Sequence, residues 1–158
     1  MGVSTDGQIC FGIAFNEEGA TFPWDSDEYD GDIEDWWIYA VQGYQRPFEI
    51  FDADGEYLEG ICPSRERIAE YYQLWHDFKE SRPALPIALV LHCSYDFPMY
   101  ILAVPRTVKV ASRGYPEEIT PSEMVITQEE RDLLVNFCEE HNIEAEDKPR
   151  WWLSSMWG

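Results

Sequence analysis

From Glu17 to Asp35 the chain carries nine carboxylates (Glu17, Glu18, Asp25, Asp27, Glu28, Asp30, Asp32, Glu34 and Asp35) and no lysine or arginine. Ionised side chains are almost never fully buried without a partner. This stretch therefore belongs at the surface, read as a loop through Gly19, Pro23 and Gly31, with Trp24 and Tyr29 set among the acids. Whatever core the chain builds must come from the segments on either side.

Those segments are legible. Gln8 to Phe15 (QICFGIAF) has the β-branched and aromatic character of a strand. Asp32 is a candidate N-cap, after which Ile33, Trp36, Trp37, Ala40 and Val41 recur at helical spacing, with Gly43 as a stop. Glu34 and Asp35 in the first turn suit the positive end of a helix dipole. The same WWIYAV run also reads as a buried strand. Phe48 to Phe51 and Tyr57 to Ile61 flank Asp52-Ala53-Asp54-Gly55, a hairpin signature. Pro63-Ser64 opens a helix over Arg65 to Glu80, whose buried stripe is Ile68, Tyr71, Tyr72, Trp75 and Phe78, and Arg82-Pro83 ends it. Ile87 to Leu91, Met99 to Val104 and Thr107 to Ala111 read as further strands. Thr127-Gln128-Glu129-Glu130 is a capping box for a helix carrying Leu133, Leu134, Phe137 and Cys138 on one face, with His141 near its negative end. Trp151, Trp152 and Trp157 are too apolar to leave in water, so the C-terminal segment is expected to dock as a strand or clamp. The pattern predicts a single α+β domain over residues 1–158, an antiparallel or mixed sheet with about three helices packed on it.

The length of 158 residues suits one domain, and a composition 45% hydrophobic and 15% aromatic can bury a sizeable core. Against 31 acids stand 11 bases, a net charge of 11 − 31 = −20 with histidine neutral. Such a charge repels nucleic acid and anionic membranes, because phosphate binding depends on lysine and arginine. It permits a basic partner or divalent cations. Cys10, Cys62, Cys93 and Cys138 are scattered, with no C-x-x-C pair. No signal-peptide pattern and no apolar run of about 18 residues is present, so the thiols read as reduced, buried and cytosolic.

Catalytic and metal motifs fare poorly. If Gly31 and Ile33 are placed on the glycine and apolar positions of a calcium loop, Ser26, Glu28 and Asp30 take the first three ligand positions and Trp37 the last, where a bidentate Glu is required. A zinc site would need closely spaced Cys or His pairs, which are absent. His92-Cys93 with Asp96 nearby is a nominal nucleophile constellation, but neighbours in a strand face opposite ways. A satisfied core cysteine is the simpler account. Phosphate-binding glycine loops and nucleophile elbows are absent as well. With 31 acids, carboxylate pairing in the sequence discriminates nothing. No cofactor is expected, and an enzyme is the least favoured reading.

Met1-Gly2-Val3-Ser4-Thr5-Asp6-Gly7, Phe97-Pro98-Met99-Tyr100-Ile101-Leu102-Ala103-Val104-Pro105 and Trp152-Leu153-Ser154-Ser155-Met156-Trp157-Gly158 resemble an uncharacterised family of small acidic proteins encoded by tailed bacteriophages and prophages. The resemblance implies a bacterial cytoplasm during infection, where such proteins often inhibit host machinery, some by mimicking DNA. Carboxylates at phosphate-like spacing capture the basic groove of a nucleic-acid-binding enzyme by the same physics that binds DNA, with the roles reversed. The expected partner-binding surface is Glu17, Glu18, Asp25, Asp27, Glu28, Asp30, Asp32, Glu34 and Asp35. Trp24 and Tyr29 would serve as aromatic anchors, and Asp52, Asp54 and Glu56 of the hairpin as an extension. The expected function is thus capture and inhibition of a basic host protein. The alternative is an accessory or assembly role through self-association, with Trp151 and Trp157 as contacts.

Overall fold

The QICFGIAF run becomes the strand around which the sheet is built. The computed structural model describes residues 5–15, 21–51, 57–58, 62–94, 96, 98–145 and 147–157. The elements are β1 (Thr5–Phe15), α1 (Ile33–Trp36, continued by a π-helical turn, Trp37–Val41), α2 (Arg65–Ser81), β2 (Ala88–Ser94), β3 (Pro98–Ala103), β4 (Lys109–Ala111), α3 (Gln128–Glu140) and β5 (Arg150–Trp157). The class is α+β, as the sequence patterns indicate. The chain divides into two compact units, Asp32–Ala84 and a larger one made of Met1–Gly31 with Leu85–Gly158.

In the larger unit, β1 is antiparallel to β5 along one edge, with Cys10 opposite Trp152. Along its other edge lie first β3, with Ala14 opposite Ile101, and then β4, with Gln8 opposite Val110. β2 pairs antiparallel with β3, and it meets β5 in a short parallel contact, Cys93 to Met156 and Ser94 to Trp157. Strands β1, β3, β2 and β5 thereby form a closed ring, joined between β2 and β5 by those two residue pairs.

The face of β1 that carries Cys10 and Ala14 is built of small residues where the neighbouring strands come close. Cys10, Ala14 and Ala103 are buried there with Val90 and Ile101, and Val108 and Trp152 pack against them. Gly12 is required outright. A Cβ at this position would lie 2.8 Å from Ile101 Cγ2, and closer still to the Leu102 carbonyl oxygen. The indole of Trp152 donates to the Gly12 carbonyl at 2.9 Å. The other face of β1 packs against α3: the Phe11 ring meets Trp151 edge-on at 5.7 Å and carries the Arg131 guanidinium at 4.8 Å. Leu134, Phe137 and Cys138 are the buried side chains of α3.

β3 and β4 are one strand interrupted by a 3-10 turn, Pro105–Thr107. The register along β1 shifts by three residues across the break, from Gly12–Ala103 to Ile9–Lys109, which is the length of that turn. The Thr107 hydroxyl restores the missing ladder contacts, accepting from the Phe11 N–H at 3.0 Å and donating to the Val104 carbonyl at 2.7 Å. Thr107 is a buried polar side chain, at 3% exposure. The expected strand over Thr107 to Ala111 therefore starts only at Lys109, because the missing N–H and fixed φ of Pro105 cannot continue a ladder.

The smaller unit is helical. Asp32 caps α1 as expected, accepting from the N–H groups of Glu34 (2.8 Å) and Asp35 (3.0 Å). The helix, not the strand, is the form WWIYAV takes, ending just before Gly43. On α2 the stripe is narrower than predicted: Phe78 is buried and Ile68, Tyr71 and Trp75 half-buried, but Tyr72 is 60% exposed. Rings gather around this helix, with Trp75 on Phe78 at 5.5 Å and Phe51 on Tyr71 at 5.7 Å. Among the described residues the predicted hairpin shows an antiparallel bridge, Phe51 to Tyr57, with Leu58 N–H donating to Ile50 O. Asp52, Asp54 and Glu56 lie outside the described residues.

Candidate functional site

Asp25 to Asp30 belong to the larger unit, and Asp32, Glu34 and Asp35 to the smaller. In the larger unit the acids sit on a compact turn. Pro23 shapes its start, where the Asp25 N–H donates to Phe22 O at 3.0 Å and the Asp25 carboxylate accepts from the Phe22 N–H at 2.8 Å. Ser26 O accepts from both Tyr29 and Asp30, and the Gly31 N–H closes the loop on Trp24 O at 3.0 Å. The closure needs left-handed backbone at Asp30 (φ 46°) and Gly31 (φ 79°). Aspartate tolerates this region and glycine adopts it freely.

Two aromatic residues fasten the turn. Phe22 stacks on Trp24 at 4.7 Å and meets Phe15 and Tyr100 edge-on at 5.1 and 5.5 Å. Trp24 is only 1% exposed. The expectation that Trp24 is a surface anchor for a partner is thereby overturned: burying its ring in the core gains more than leaving it in water. Tyr29 stays half-buried, and its phenol is pushed up first by desolvation and then by the neighbouring Glu28.

The acids divide by task. Asp25 and Asp32 hold backbone N–H groups. Asp35 pairs with Arg46, whose guanidinium also lies 4.6 Å from the Tyr39 ring centre, and Glu34 lies 3.8 Å from Arg82. Asp27, Glu28 and Asp30 are exposed, and among the described residues none of them pairs with a lysine or arginine. Glu17 and Glu18 lie outside the described residues. Elsewhere, Arg106 is bound to Glu130 and Lys109 to Glu123.

A second feature lies in the closed sheet. Ala14, Met99, Ile101 and Trp152 line a cavity of about 620 Å³ together with His92, Cys93, Ser94 and Ser154. The alternation that would send His92 and Cys93 to opposite faces is broken, because Cys93 has left-handed backbone (φ 77°) where β2 passes from its β3 partner to its β5 partner. Burial pushes the His92 imidazole below its ordinary value. Sequence reading located His92-Cys93 but missed Ser154, which carries no signal until β5 is seen to pair with β1.

All four cysteines are free. Cys10 and Cys138 are buried, and burial pushes both thiols up to about 11. Cys62 is exposed and Cys93 half-buried, so the expectation of four buried thiols holds for only two of them. Among the described residues no group of three His, Cys, Asp or Glu side chains gathers as a metal site requires, and no helix is long and apolar enough to cross a membrane. No protein-family model, curated protein or solved structure matches this chain.

Proposed function

We propose that the protein captures a basic protein partner, of the kind that binds nucleic acid, and blocks it through its acidic surface. The resemblance to acidic bacteriophage proteins would make this a phage-encoded protein acting in the bacterial cytoplasm during infection. Support comes above all from Asp27, Glu28 and Asp30. They stand exposed, with no lysine or arginine partner among the described residues, on a turn that two buried rings and a closed set of backbone hydrogen bonds hold in place. A fixed row of carboxylates loses less entropy on binding than a floppy one, and a net charge of −20 steers a basic partner toward it.

The test is binding of the purified protein to basic proteins of a bacterial lysate across a salt gradient, with DNA as competitor. The variant D27K/E28K/D30N spares Asp32, whose carboxylate caps a helix, and keeps at position 30 a residue that accepts left-handed backbone. Capture that weakens steeply with salt, yields to DNA and is lost in the variant supports the proposal. Capture unchanged in the variant sinks it.

A second reading, self-association, is favoured by β5, where Leu153 is 83% and Trp157 55% exposed. It requires a salt-insensitive oligomer that Leu153→Asn dissolves in sedimentation. Trp151 is the weaker candidate contact, since its ring already packs on Phe11.

A further inference from the structure

Strands β1, β3, β2 and β5 all contribute walls to the cavity of about 620 Å³, which lies within the range of roughly 300–1,000 Å³ typical of small-molecule sites. Its body is apolar: Ala14, Met99, Ile101 and the Trp152 ring. Two polar atoms stand out. His92 Nε2 and Ser154 Oγ are buried from solvent, and among the described residues neither has a hydrogen-bond partner. Buried polar atoms are nearly always paired, so two orphans on one cavity wall mark a place where something else is bound. Gln8, opposite Ser154 across the β1–β5 ladder, has an orphaned buried Oε1 as well.

The lining also limits the charge of the occupant. Among the described residues no lysine, arginine, aspartate or glutamate lines the cavity. An anion would meet a protein of net charge −20 with no local cation, and a cation would find no carboxylate to pair with. Desolvation favours the neutral imidazole of His92, in which one ring nitrogen donates and the other accepts. The Ser154 hydroxyl can do either. The Trp152 ring and the Met99 thioether both favour contact with an aromatic face or edge.

We propose that this cavity is a binding site for a small, uncharged aromatic molecule carrying a hydroxyl or amide head, which satisfies His92 and Ser154 while its ring lies against Trp152 and Met99. The strained backbone of Cys93 fits such a site. A left-handed, non-glycine residue in a strand is an outlier of the kind that clusters at ligand clamps, and here it stands at the cavity wall. This site is independent of the acidic turn, whose residues do not line it.

The experiment is protein-observed NMR of the full chain, following the His92 Cε1–H and Trp152 indole N–H signals. The probes are 2-naphthol, naphthalene as its apolar isostere, and 2-naphthoate as a charged one. The expected result is saturable shifts with 2-naphthol, about tenfold weaker binding of naphthalene, and no binding of 2-naphthoate. Ser154→Ala should bind 2-naphthol about tenfold more weakly, the effect of one lost hydrogen bond, while its thermal unfolding midpoint stays level or rises because an orphaned hydroxyl is gone. Three results each overturn the proposal: no saturable shift with any probe, equal affinity for naphthalene and 2-naphthol, or water cross-relaxation at His92 that no probe displaces, which would mean that the cavity simply holds water.

Discussion

Gly12 shows how a single position can decide whether the closed sheet forms. Replacing a strand glycine with alanine normally helps, by roughly 0.5–1 kcal/mol of backbone entropy. Here the added methyl group would run into the Leu102 carbonyl oxygen and Ile101 Cγ2, and the first of these belongs to the neighbouring backbone of the ring. A backbone oxygen cannot rotate away as a side chain can, so the clash outweighs the entropy. Overpacking of this kind costs about 1–3 kcal/mol. Gly12→Ala should therefore lower the urea midpoint of unfolding with little change in m-value; a neutral or stabilised variant would mean that the ring has more slack than its packing indicates. None of this is legible in QICFGIAF. A glycine inside a strand pattern signals either weakness or close approach, and only the pairing of β1 with β3 decides between them. Trp24 is the opposite case. Its position among nine acids suggests a surface role, yet its ring supplies the buried pin of the acidic turn.

Two elements owe their anchoring to carboxylates that are used structurally. Glu130, the third residue of α3, closes the capping box on Thr127 and also receives the Arg106 guanidinium, which extends to the carbonyls of Glu123 and Val125. Glu123 takes the Lys109 ammonium at 2.7 Å and the N–H and hydroxyl of Thr120, both at 2.8 Å. Held mainly by Arg106 and Lys109 respectively, each carboxyl is pulled from 4.5 to about 2. Their folded values lie below the unfolded one. The stabilisation is therefore complete above about pH 4.5 and is lost as pH falls toward 2. The unfolding midpoint should drop across that window, and Arg106→Met or Lys109→Met should flatten the drop; an unchanged acid limb in both variants would show that these carboxylates do not tie β4 and α3 in place. At this scale the sequence was informative where signals are local. The capping box, the N-cap at Asp32 and the Ser64 start of α2 are all written within four residues of each other and reappear as hydrogen bonds. The break between β3 and β4 was half legible: Pro105 announced an interruption, but the role of the Thr107 hydroxyl depends on Phe11, far away in sequence.

For the molecule as a whole, the features that matter most are set by distant residues, and they divide into one the sequence carries openly and one it hides. The hidden one is ring closure. The contact between β2 and β5 is parallel and only two residue pairs long, so it leaves no periodicity, and the cavity with His92 and Ser154 exists only because of it. The open one is charge, and it leads to a prediction about stability. Exposed ion pairs such as Arg67 with Glu70 contribute about 0–1 kcal/mol each, and salt weakens them. Salt also screens repulsion among the carboxylates that have no base to meet, with a Debye length of about 10 Å at 0.1 M. With 31 acids against 11 bases, repulsion outnumbers attraction, so screening should stabilise the fold at neutral pH. Sodium chloride from 10 to about 300 mM, a range over which the Debye length falls several-fold, should raise the thermal unfolding midpoint at pH 7. Near the isoelectric point of about 4.2 the same addition should change little, because the surplus charge is gone. A midpoint that falls with salt at pH 7 would mean that the paired residues, and not the unpaired acids, dominate the electrostatics. The exposed row at Asp27, Glu28 and Asp30 would then contribute little to the field that draws a basic partner. If salt stabilises at pH 7 and not near pH 4.2, the fold carries an electrostatic cost that a cationic partner would relieve on binding, and binding should raise the same midpoint most at low salt.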